Sequence, residues 1–81
     1  MSNVLFDIYG SKIGTTIGNS KGYLIKLKME KGYMNPRFIE KDDKIDVIVD
    51  NVEETYSIFN AQQIQGDTIL TLEKVANSKA F

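Results

Sequence analysis

Tyr23-Leu24-Ile25-Lys26-Leu27-Lys28-Met29-Glu30 decides the fold class of this 81-residue chain. Tyr23, Ile25, Leu27 and Met29 alternate with Leu24, Lys26, Lys28 and Glu30. Successive side chains of a strand point to opposite faces, so this stretch predicts a strand with one apolar and one mainly charged face. Towards the N-terminus, Val4 to Tyr9 is a β-branched and aromatic run that ends at Gly10-Ser11, and Lys12 to Ile17 follows with Ile13, Thr15 and Ile17 at period two. Those two runs predict a first hairpin, separated from the deciding strand by the turn cluster Gly18-Asn19-Ser20.

Towards the C-terminus, Lys31-Gly32 and Asn35-Pro36 interrupt the alternation. Asn35 as N-cap with Pro36 in the first helical position predicts one helical turn near residues 35–40. The charged turn Lys41-Asp42-Asp43-Lys44 leads into Ile45 to Asp50, where Ile45, Val47 and Val49 face one way and Asp46, Ile48 and Asp50 the other. A connection at Asn51 to Glu53, a strand from Thr55 to Phe59 or on to Ile64, a turn at Gln65-Gly66-Asp67 and a last strand from Thr68 to Lys74 complete the chain. Five to seven short strands at this spacing predict an all-β domain over residues 1–75, either a small antiparallel β-sandwich or a partly open β-barrel, with a frayed tail at 76–81. Alternation assigns Ile25, Leu27, Val47, Val49, Ile58, Leu70 and Leu72 to the core. Val4 to Lys31 and Ile45 to Lys74 each read as a strand pair around a turn, a hint of two similar β layers.

Composition narrows the chemistry. With 42% apolar and 26% charged residues the chain reads as a folded globule, yet one of this size buries only about 60–65% of its unfolded surface. It has neither cysteine nor histidine, so disulfides, thiolate nucleophiles, cysteine-ligated zinc and a histidine-centred triad are excluded. Gly10, Gly14, Gly18 and Gly22 recur every fourth residue without the lysine and hydroxyl residue of a phosphate-binding loop, and read as turn, bulge and bend positions. Asp42, Asp43 and Asp46 miss the calcium-loop spacing and read as a solvated turn. Asp50 with Glu53 or Glu54 has the residue types of a glycosidase pair, but so short a chain has little room for both a cleft and a core. The expectation is a non-enzymatic protein with no catalytic residue, cofactor or metal site. Met1 to Tyr9 lacks a basic n-region, and no apolar run approaches a spanning helix, so a cytoplasmic protein without membrane contact is expected.

Charge is the feature that bears on partners. Residues 1–41 carry seven basic residues against three acids, net +4, and residues 42–81 carry three against eight, net −5. One reading of the basic half is single-stranded nucleic-acid binding through a lysine and tyrosine surface of Lys12, Lys21, Lys26, Lys28, Tyr33 and Arg37, with ammonium groups on phosphates and rings on bases. Parity counts against it, because Tyr23 lies on the strand face opposite Lys26 and Lys28. A second reading pairs the deciding strand with Ile45 to Asp50, setting Lys26 and Lys28 across from Asp46 and Asp50. The third, which is preferred, is a protein-interaction module that contacts another protein or its own copies through Lys26, Lys28, Asp46, Asp50, Glu53 and Glu54. Such a module includes self-association, and acidic inhibitors or adaptors of the viral or mobile-element kind.

Phe38-Ile39-Glu40-Lys41-Asp42-Asp43-Lys44 and the following strand to Asp50 resemble the charged turn and strand of the swapped-hairpin transcription regulators, small dimeric DNA-binding proteins. Asn35-Pro36-Arg37 stands where that family has a helix, and the family's function is not carried to this chain.

Overall fold

The computed structural model describes residues 3–21 and 24–75, the side chains of 19–21 excepted. Tyr23, the side chain of Lys21 and the expected tail at 76–81 therefore lie outside the described residues. The described residues form six strands: β1 (Val4–Asp7), β2 (Lys12–Lys21), β3 (Leu24–Met29), β4 (Lys44–Val49), β5 (Val52–Ile64) and β6 (Asp67–Lys74). A 3-10 turn, Pro36–Phe38, precedes β4. All pairings are antiparallel, and the strands close a barrel in the order β1-β2-β3-β6-β5-β4. Of the two expected architectures the barrel forms, because short β1 bridges β2 and β4 and removes the gap that would leave two sheets. The two halves of the chain do not form separate layers: each is a three-stranded meander, and the two join along β3–β6 and β1–β4 into one barrel.

Inward parity builds the core. Leu5, Ile13, Leu27, Met29, Val47, Tyr56, Ile58, Leu70 and Leu72 are buried together, with Ile25, Ile45 and Val49 half-buried against them. Ile25 and Val49 are thus at the core's rim, and the other five expected core positions are buried. A bulge near Ile13 turns both Ile13 and Gly14 inward where Leu5 sits opposite Gly14. A Cβ on Gly14 would run into the Lys28 carbonyl oxygen and the Met29 Cα, so only glycine lets β2 and β3 approach this closely.

Turns are set by local chemistry. Asp50 and Asn51 both have positive φ, as do Gln65 and Gly66, the condition for two-residue hairpins that match strand twist. The β4–β5 connection is therefore the two residues Asp50-Asn51 instead of the expected Asn51 to Glu53, and Val52 and Glu53 are already in β5. Asn35 caps the 3-10 turn by accepting from the Arg37 N–H at 2.9 Å.

One expected pairing does not form. β3 lies between β2 and β6, with Lys26 opposite Ile17 and Thr71 and Lys28 opposite Thr15 and Ile69. β4 is three places away around the ring, so Asp46 and Asp50 are not across from these lysines. Alternation fixes which face of a strand is buried but carries no information about its neighbour, and β4 and β6 share the same inward pattern. The segment resembling the swapped-hairpin regulators feeds β4, which pairs with β1 and β5.

Candidate functional site

The outer faces of β1, β4 and β5 carry the most distinctive surface. Leu5 is fully buried, so its neighbours Val4 and Phe6 turn outward, each 40% exposed. Phe6 is opposite Ile48, which is opposite Glu53, making one row across three strands. Asp46 shares the outward parity of Ile48 on β4, and Asp50 follows that strand as the exposed first residue of the turn. The result is an apolar strip of Val4, Phe6 and Ile48 bordered by Asp46, Asp50 and Glu53. Asp46 accepts a 2.8 Å hydrogen bond from the Thr55 hydroxyl, and none of the three acids has an ion-pair partner among the described residues.

Lys26 and Lys28 occupy the opposite side of the barrel. Ile17, partly exposed, lies directly across from Lys26, and Thr15 across from Lys28. Lys28 approaches Asp67 at 3.8 Å, while Lys26 has no ion pair among the described residues. Five of the six expected interaction residues therefore form two opposed surfaces.

Glu54 belongs to neither. Its inward parity carries it to the barrel mouth, where Oε1 accepts from the Tyr56 hydroxyl at 2.9 Å and Oε2 meets Lys74 Nζ at 3.2 Å. The Tyr56 bond, reinforced by Lys74, holds the Glu54 carboxyl below its ordinary range. Burial, with the Glu54 carboxylate beside it, pushes the Tyr56 phenol up to about 12. This trio is a clasp that ties β5 to β6.

The lysine and tyrosine set is dispersed. Lys12 pairs with Glu30 at 3.4 Å, and Arg37 lies in the 3-10 turn. Tyr33 packs against the core from the β3–β4 connection, and its hydroxyl donates to Asp7 Oδ2 at 3.0 Å, so its ring is not offered for stacking. Asp7 Oδ1 also accepts from the N–H groups of Ser11 and Tyr9, the Ser11 bond foremost in lowering the Asp7 pKa. Burial, then the hydrogen bond to Asp7, raises that of Tyr33. Asp7 and Tyr33 together pin the β3–β4 connection to the β1–β2 turn at the other barrel end.

The sequence reading missed Val4 and Phe6, although outward alternation around Leu5 was available as a signal. Among the described residues no three metal-ligating side chains gather, and no helix is long and apolar enough to cross a membrane. The chain matches no protein-family profile, no curated protein and no solved structure.

Proposed function

We propose that the chain is a non-enzymatic protein-interaction module that associates with its own copies, the basic side of one barrel docking on the acid-bordered apolar strip of the next. The observation that carries this reading is the position of the two charged sets three strands apart around a closed barrel, beyond each other's reach within one molecule. Each side couples apolar residues to charge: Val4, Phe6 and Ile48 with Asp46, Asp50 and Glu53, against Ile17 with Lys26 and Lys28. An apolar centre with a polar rim is the anatomy of a protein contact, and opposite signs supply steering and register. A surface that meets a different surface on the next copy gives a ring or an open chain instead of a twofold dimer.

Light scattering coupled to size exclusion, at low and high salt, tests the docking. Exposed ion pairs contribute only about 0.2–1 kcal/mol each and are screened, so the assembly should shrink as salt rises. A Lys26→Glu/Lys28→Glu variant and an Asp50→Lys/Glu53→Lys variant should each lose the salt-sensitive species, and mixing the two should restore it. A low-salt mass unchanged in both variants would refute head-to-tail docking.

A further inference from the structure

The distal half of β5 is an open sheet edge. β4 accompanies β5 only from Val52 to Ser57, and two further bonds, Asp42 N–H to Ile58 O and Asp43 O from Ile58 N–H, close that seam. A register shift at Ile58/Asn60 leaves Phe59 as a bulge, and β5 then runs on with β6 alone, Asn60 opposite Thr71 through Ile64 opposite Asp67. Residues 59–64 are all exposed, whereas Ile69 and Leu70 across from them, which pair with β3 on their far side, are buried. Among the described residues no backbone bond reaches Asn60–Ile64 from the β4 side.

Open edges are ordinarily blunted by lysine, proline, a continuing bulge or a covering loop. Asn60–Ile64 contains neither lysine nor proline, its pairing with β6 runs without a further bulge, and no Asp, Glu, Lys or Arg occurs anywhere from Thr55 to Gly66. Cations flank the edge without lying on it: Lys41 is 5.7 Å from the ring centroid of Phe59 at the preceding bulge, and Lys28 and Lys31 reach Asp67, which is opposite Ile64 on β6. The unpaired segment thus lies within the uncharged stretch, and the charges of β5, Glu53 and Glu54, are confined to the part that pairs with β4.

We infer that Asn60–Ile64 is a self-pairing edge, on which a second copy of the chain adds antiparallel, β5 against β5, to make a twofold dimer with a continuous sheet. Electrostatics selects a second copy as the occupant. Across a twofold, each residue of the segment meets itself or a near neighbour, so any charge here would face its own duplicate at about sheet spacing. An edge free of charge carries no such penalty.

Register follows from the faces. Directly opposed residues of an antiparallel pair lie on the same face, so the residue numbers of a self-pair sum to an even number and the twofold passes beside one residue. The regular segment after the bulge is centred on Gln62. Gln62 then faces Gln62 of the second copy, Ala61 faces Gln63, and Asn60 faces Ile64. Backbone hydrogen bonds carry this contact, so it is independent of the charged docking proposed above and persists at high salt.

Cross-linking tests the register. The chain has no cysteine, so an introduced one is unique. Opposed Cα atoms in an antiparallel pair are about 4.5–5.5 Å apart, inside the roughly 4.4–6.8 Å window of a disulfide. Mild oxidation should convert Gln62→Cys to a disulfide-linked dimer, whereas Asn60→Cys, four residues out of register with its copy, should remain largely uncoupled. In high salt, light scattering should give a dimer for the wild type and a monomer for Gln62→Lys, with unchanged circular dichroism. An equimolar mixture of Gln62→Lys and Gln62→Glu should recover the dimer. A wild type that is monomeric in high salt at every concentration, a Gln62→Lys dimer, or equal coupling of the two cysteine variants would overturn the inference. Survival of this dimer with loss of the salt-sensitive assembly would separate its fate from that of head-to-tail docking.

Discussion

Tyr56→Phe should trade stability at neutral pH for resistance to alkali. The substitution keeps the buried ring and deletes the hydroxyl that donates to Glu54. A hydrogen bond to a charged group contributes about 1.5–3 kcal/mol, and Glu54 retains Lys74 and some water, which argues for the lower figure of about 1.5 kcal/mol. The sign reverses at high pH. Folding raises the Tyr56 pKa from 10.0 to about 12, so the folded state holds its proton where the unfolded chain has lost it. Stability from this group is therefore complete below pH 10 and is lost as pH rises to about 12, a loss on the order of 2–3 kcal/mol after allowing for solvent screening. Phenylalanine has no such loss, so the two stability curves should cross at roughly pH 11. Urea unfolding followed by far-ultraviolet circular dichroism from pH 7 to 12 measures both arms. Parallel curves across that range, or a variant as stable as the wild type at pH 7, would refute the clasp and return Glu54 to the exposed acids.

Two other substitutions probe the ends and the seam of the barrel. Gly14→Ala must push β2 away from the β3 backbone, at a cost of about 1–3 kcal/mol or more, a large share of the roughly 4–12 kcal/mol available to a chain of this size; an unchanged urea midpoint would contradict the close approach. Asp7 has its pKa depressed by folding, so its contribution is present above the ordinary 3.8 and is lost as pH falls through the folded value. Asp7→Asn should accordingly be less stable than the wild type at pH 7 and lose less on acidification below pH 3.8, and acid titration of both proteins by circular dichroism decides it.

Faces were legible in the sequence and neighbours were not. Ile25-Lys26-Leu27-Lys28-Met29 and Ile45-Asp46-Val47-Ile48-Val49 announce their strands because period two with one buried face leaves little else to form. The Asn35-Pro36 start of the 3-10 turn is equally local, since cap and first residue act within one turn. By contrast, β3 next to β6 depends on which long-range closure leaves the fewest open edges, and no short window encodes that. Glu54 escaped for a different reason: a glutamate at an inward position looks like surface until the mouth of the barrel brings Tyr56 and Lys74 to it. The open edge of β5 was hidden too, because it is defined by where β4 ends.

The charge asymmetry of the chain acquires its meaning from the meanders. The basic half supplies β1, β2 and β3, and the acidic half supplies β4, β5 and β6. Where the halves meet along β3–β6, Asp67 takes Lys28 at 3.8 Å and Lys31 at 4.0 Å. Along the other seam, β1 offers Val4 and Phe6 instead of lysines, so Asp46, Asp50 and Glu53 stay without a cationic partner among the described residues. The surplus of each sign is thus displayed on opposite sides. Exposed charges so placed contribute little to folding, and substitutions among them ordinarily move stability by no more than about 0.5 kcal/mol. Reversing Lys26 and Lys28 should therefore leave the melting curve almost unmoved while changing the mass seen at low salt, the combination that distinguishes an association surface from a structural one.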